Sequence, residues 1–180
     1  VSYQILGLPN ESLGSMIQAL AFNARLPVLL GASPFYRTPN SPIARGVNLT
    51  EQDYVKARLT ALAIETDDFT RDDIYTLLVT TRIINFLKGL LIGPDTDLTA
   101  LIDQSVGDPR TVVGIALLKQ LVHTGRLSFW TQRGLHENKH FDGALFFWVL
   151  SQAETITCQN GQRIDVRRSG SRLKEEAGCF

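Results

Sequence analysis

The apolar residues of this chain recur mainly at three- and four-residue spacing, the period of an α-helix packed on one side. Leu13, Met16, Ile17, Leu20 and Ala24 form such a stripe after Asn10, a residue suited to capping a helix, and Pro27 marks its stop. Thr50 and Thr70 each stand three residues before an Asp, in TEQD and TRDD. There the hydroxyl can accept a backbone N–H while the acid favours the positive helix end, so two further helices are expected to start at these positions. The second carries Ile74, Leu77, Leu78, Thr81, Ile84, Leu87 and Leu91 on one broad face, and Gly93-Pro94 is expected to end it. Asp95 or Asp97 can cap a short helix with Leu98, Leu101, Ile102 and Val106, closed by Gly107. Asp108-Pro109 reads as an N-cap followed by proline at the first helical position, opening a helix to about residue 124.

Beyond Gly125 the period changes to two. RLSFWT places Leu127 and Phe129 on one side and Ser128 and Trp130 on the other, as in a strand. The stretch TQRGLHENKHFDG reads as a polar loop, and ALFFWVL as a second strand or a buried helical turn. Residues 31–50 hold Pro34, Pro39, Pro42, Gly31 and Gly46, which predicts one long loop in which Phe35-Tyr36-Arg37 is a packing anchor, with a partner contact as the less favoured reading. The expected fold is therefore mainly α: a helical part over residues 1–93, an α+β part with a small β-hairpin over 94–158, and a basic flexible tail over 159–180.

Composition narrows the class without naming a function. At 180 residues, 44% apolar and 20% charged, the chain is a globular domain and neither a disordered nor a fibrous one. Its most apolar stretch, residues 74–92, holds Arg82, Asn85 and Lys88, so it reads as a buried helix and no membrane span is expected. Two cysteines, Cys158 and Cys179, cannot build a disulfide framework, which makes the reducing cytoplasm the expected compartment. Formal net charge is zero, which on its face opposes a polyanionic partner. Position reverses part of that inference: residues 51–108 hold eleven acids and five bases, a net of −6, whereas residues 109–174 hold ten bases and four acids, a net of +6. A basic segment can hold phosphates whatever the rest of the chain carries, because exposed charges act over about a Debye length, ~8–10 Å. Head-to-tail pairing of the acidic and basic segments of two copies is the other consequence of that asymmetry.

Helix, tight turn, helix, glycine and strand follow one another in DLTALIDQSVGDPRTVVGIALLKQLVHTGRLSF. With the polar loop and second apolar stretch after it, the order over residues 95–150 resembles the winged helix-turn-helix superfamily. The resemblance is one of spacing and covers about a third of the chain. It implies a recognition helix offering Arg110, Thr111, Val113, Gly114 and Lys119, and a wing offering Arg126, Arg133, His136, Lys139 and His140. VVGIALL within that helix is almost wholly apolar, whereas base edges are read by hydrogen-bonding side chains. The expected function is to bind nucleic acid, DNA or RNA, or to scaffold a nucleoprotein complex, with phosphate contacts from Arg110, Lys119, Arg126, Arg133, Lys139, Arg163, Arg167 and Arg168. Aromatics concentrate in the same region, at Trp130, Phe141, Phe146, Phe147 and Trp148. Most are expected in the core and any exposed subset as a stacking or docking patch. The alternative is a protein-interaction or structural subunit that assembles with itself or a partner through apolar helix faces.

Catalytic chemistry is thin. His136 and His140, beside Glu137 and Asp142, have a spacing that would face two imidazoles together on a helix, but they lie in an expected loop with no second ligand pair. Asp67-Asp68 and Asp72-Asp73 sit near helix starts, where carboxylates are favoured anyway, and His123 suits a helix C-terminus. No phosphate loop, nucleophile elbow or Cys-His pairing is present, so the expectation is a non-enzymatic protein with no cofactor and no metal.

Overall fold

The computed structural model describes residues 1–36, 38, 42, 50–52, 54–55, 65–94, 96–103 and 107–167. Among them run β1 (Ser2–Leu6), α1 (Leu13–Ala24), β2 (Leu30–Pro34), α2 (Arg71–Lys88), β3 (Thr96–Asp97) and α3 (Leu98–Ile102). These are followed by α4 (Pro109–Thr124), β4 (Ser128–Thr131), β5 (Gly134–Glu137), α5 (Gly143–Ala153), β6 (Thr155–Thr157) and β7 (Arg163–Asp165). The strands make three small sheets: a parallel pair β1–β2, a mixed sheet in the order β3–β7–β6, and the antiparallel hairpin β4–β5. The fold is thus mixed α+β, which corrects the mainly α expectation.

The reason lies in the strands. Each is two to five residues long. In β1 the usual pattern is inverted, with Tyr3 and Ile5 outward and Ser2 and Gln4 turned toward α1, where Gln4 Nε2 donates to Met16 O at 3.1 Å. A two-residue-period search for an apolar buried face cannot register such a strand. β2 lies inside the stretch expected to be all loop; Pro34 stands at its last position, where a missing N–H costs least. Of the rest of that loop, residues 37, 39–41 and 43–49 lie outside the described residues.

Capping chemistry follows the sequence at most helix starts. Thr70 and Asp73 form a reciprocal capping box on α2, and Asp108 accepts from the N–H groups of Arg110 (2.9 Å) and Thr111 (3.3 Å) ahead of Pro109. Gly125 ends α4 at φ 68°, in the left-handed region that favours glycine. Two boundaries differ from expectation. Ser12 caps α1, its hydroxyl accepting from Ser15 N–H, while Asn10 sits in the turn before it at φ 67°. Gly89, not Gly93, ends α2. Of the helix expected from Thr50, residues 51–52 and 54–55 are helical and the remainder lies outside the described residues.

ALFFWVL is helix, not strand: it forms most of α5, opened by Asp142, whose carboxylate accepts from Ala144 (2.7 Å) and Leu145 (3.2 Å). Seven of its eleven residues are buried, so it is apolar nearly all round and carries no one-sided stripe to distinguish it from a buried strand. The second strand of the hairpin is instead β5, within the stretch expected as loop. α5 packs against α1 and α2, and a single buried core extends from Leu6 through Leu77, Ile84 and Phe146 to Val166. β7, within the stretch expected as tail, pairs with β6 and with β3. No helix among the described residues is long and apolar enough to cross a membrane.

Two polar residues of α2 organise this core. Asn85 donates through Nδ2 to Leu30 O (2.7 Å) and accepts through Oδ1 from Leu30 N (2.8 Å), so its amide pairs with β2 as a further strand would. Lys88, only 2% exposed, donates to the carbonyls of Asn23 (3.4 Å) and Leu26 beyond α1 and of Thr157 (3.0 Å) on β6. Burial lowers its pKa to about 8, and Cys158 beside it is pushed up by the same cause.

Candidate nucleic-acid interface

The hairpin closes through Gln132 and Arg133, with Thr131 Oγ1 accepting from Arg133 N (3.1 Å) and donating to Gly134 O (3.2 Å). Gly134 stands at φ 111°, a value that a side chain would strain. Register pairs Phe129 with His136 and Trp130 with Leu135, so the two pairs lie on opposite faces of the ribbon. All four side chains are exposed, Trp130 at 64%. Phe129 and His136 lie with ring centroids 6.2 Å apart. Along that face is an open hollow of about 590 Å³, lined by Phe129, Thr131, Gln132, Arg133, His136 and Glu137.

Both ends of the hairpin are tied to helices. Buried Ser128 accepts from Gln120 Nε2 of α4 at 3.0 Å. At the other end Asn138 donates to the hydroxyl of Tyr75, His140 Nδ1 meets Asp72 Oδ1 at 3.1 Å, and Asp142 N donates to Thr76 Oγ1 at 3.0 Å, all on α2. These contacts floor a groove of about 1000 Å³ between the start of α2 and the hairpin root. Its ionisable lining sets Glu65, Asp72 and Glu137 against Arg71, Lys139 and His140, a mixed rather than a basic surface. Sequence reading missed this groove, because its partners stand 63 to 68 residues apart and no local pattern links them.

The expected basic residues fall into distinct settings. Arg126, Arg133 and Lys139 follow the hairpin, and Arg110 lies exposed in the first turn of α4. Arg163 and Arg167 belong to the β3–β7–β6 region, and Arg168 lies outside the described residues. Lys119 pairs with Asp103 (2.8 Å), Arg126 with Glu137 (3.2 Å) and Arg167 with Asp165. Among the described residues no acid pairs with Arg110, Arg133, Lys139 or Arg163. On α4, Thr111 is engaged by Asp108 and Gly114 faces Phe86, while Val112, Val113 and Ala116 face outward with Lys119 and His123. The outward face of the expected recognition helix is therefore poor in groups that could read a base edge.

Of the aromatics, Phe141, Phe146 and Phe147 are in the core, and Trp130 and Trp148 are exposed. His136 and His140 do not share a helical face: one is on β5 and the other in the turn before α5. Among the described residues no three His, Cys, Asp or Glu side chains gather where a metal could sit. Of the Asp72-Asp73 pair, Asp73 closes the capping box of α2 and Asp72, in the same first turn, meets His140. No protein-family model, curated protein or solved structure matches this chain.

Proposed function

We propose that this chain binds single-stranded nucleic acid through the β4–β5 hairpin, with α3 and α4 as its winged-helix-like support, as a binding protein rather than an enzyme. The observation that carries the reading is Trp130, exposed on one face of a ribbon that exposes Phe129 on the other and whose turn holds Arg133 without an acidic partner among the described residues. Flat exposed rings stack on unpaired bases of any sequence, and neighbouring cations hold the backbone. Arg133, Lys139 and Arg110 supply the phosphate contacts. The apolar outward face of α4 supports contact independent of base sequence.

Fluorescence anisotropy of a labelled single strand, titrated at several salt concentrations, tests the proposal. Binding that weakens steeply with salt and quenches tryptophan emission is expected. Absence of a complex at low ionic strength overturns it, and equal affinity for duplex overturns the stacking role.

The outward stripe of Val112, Val113 and Ala116 favours a second reading, in which α4 docks a protein partner or a second copy. Light scattering across concentration separates the two: self-association abolished by Val113→Lys supports it, and a monomer throughout, at low and high salt, counts against the second copy.

A further inference from the structure

Between α2 and α4 lies a cleft of about 220 Å³ whose walls are almost entirely apolar, formed by Val79, Ile83 and Phe86 on one side and by buried Leu118 and Leu121 on the other. Gly114 lets the two helices approach: a Cβ there would stand 2.7 Å from the ring of Phe86. Arg82, exposed on α2, is the sole charged residue of the lining, and no acid pairs with it among the described residues. α2 offers it none either, since positions three and four residues away are Val79, Leu78, Asn85 and Phe86. The cleft is larger than an apolar cavity of about 150 Å³ that holds benzene in another protein. A small apolar body would therefore be covered by the leucines while an anionic head met the guanidinium at the mouth.

We infer that this cleft is a binding site for a small carboxylate with a compact apolar or aromatic body. The inference is independent of the hairpin, because none of the residues that carry it belongs to β4 or β5.

Benzoate and its neutral counterpart benzyl alcohol are the probes, followed by amide chemical shifts of the full chain. Benzoate is expected to give saturable shifts at Gly114, Leu118 and Leu121 in the millimolar range and to bind about tenfold more tightly than benzyl alcohol, the scale of one charge-assisted hydrogen bond at a half-open site. Arg82→Gln, at an exposed position, should leave benzyl alcohol unchanged and abolish the preference. Val79→Phe, which fills the cleft, should remove both. Absence of saturable benzoate shifts in the unaltered chain overturns the inference, as does equal binding of the two probes.

Discussion

Lys88 Nζ donates to the carbonyl oxygen of Thr157 across 3.0 Å, and the same ammonium reaches the carbonyls of Asn23 and Leu26. One side chain at the end of α2 thereby joins the chain leaving α1 to β6. The Asn23 and Leu26 carbonyls also accept from the backbone N–H groups of Leu26 (3.2 Å) and Val28 (2.8 Å), so the buried ammonium is a further, charged donor to them. Lys88→Met keeps most of the volume but leaves these oxygens without it. The expected loss is about 1–3 kcal/mol, the worth of hydrogen bonds from a charged donor, reduced by the relief of no longer burying a charge. Urea unfolding should show it as a lower midpoint at unchanged slope.

Lys88 also predicts an unusual dependence on pH. Its folded pKa is about 8 against 10.5 for the free side chain. Between these values the unfolded chain binds more protons, so stability rises with pH, by at most about 1.4 kcal/mol per pH unit for one group. Cys158 acts oppositely, since its folded pKa lies above 9.0 and the folded thiol keeps its proton longer. The rise attributable to Lys88 should therefore be clearest between about pH 8 and 9. Thermal midpoints measured across that window should rise in the unaltered chain relative to Lys88→Met.

Asn85 plays the same structural part toward β2. Asn85→Leu strands both the N–H and the C=O of Leu30, which now sit 2.8 and 2.7 Å from the amide. A loss of about 2 kcal/mol is expected. Hydrogen exchange at the Leu30 amide should accelerate by more than the global change in stability explains, because the β1–β2 pair to which Leu30 belongs has only two strands.

These two residues also mark where the sequence is readable. Local grammar is plain: TRDD and DP place the starts of α2 and α4, and the glycine after Thr124 ends α4 in the left-handed conformation. Asn85 and Lys88 exclude a membrane span from sequence alone, yet their partners stand 55 to 69 residues away and nothing in the sequence names them. The strand expected in RLSFWT is β4, whereas β1 and β5 escaped the sequence for a different reason. β1 turns its polar residues inward, and β5 presents three exposed residues out of four, so neither offers the apolar alternation that identifies a strand. At the candidate interface the sequence located Arg133 and Trp130 but could not distinguish Arg133 from Lys119, which Asp103 engages at 2.8 Å.

Glycine sets the seam between α4 and α5. A Cβ on Gly143 would fall 1.9 Å from the carbonyl oxygen of Gly125, a backbone atom fixed by the cap of α4. Gly143→Ala must displace one helix, at a cost of about 3 kcal/mol, the upper end of ordinary overpacking. Gly114→Ala meets the ring of Phe86 at 2.7 Å, and a half-buried ring can turn aside. Calorimetry should rank the two, with Gly143→Ala melting well below Gly114→Ala.

Ion pairing decides which basic residues the nucleic-acid proposal requires. Arg133→Ala and Lys139→Ala, at residues without an acidic partner among those described, should each lower the slope of log affinity against log salt by about 0.7, the value for one phosphate contact on a single strand. Lys119→Ala should move it less, because Asp103 already neutralises that ammonium. Trp130→Ala should weaken binding by about 1–3 kcal/mol, the worth of one stacked base, and leave the salt slope unchanged. The two effects are separable because stacking releases no counterions. If Trp130→Ala instead lowered the slope with little loss at low salt, Trp130 would be positioning the hairpin rather than touching a base.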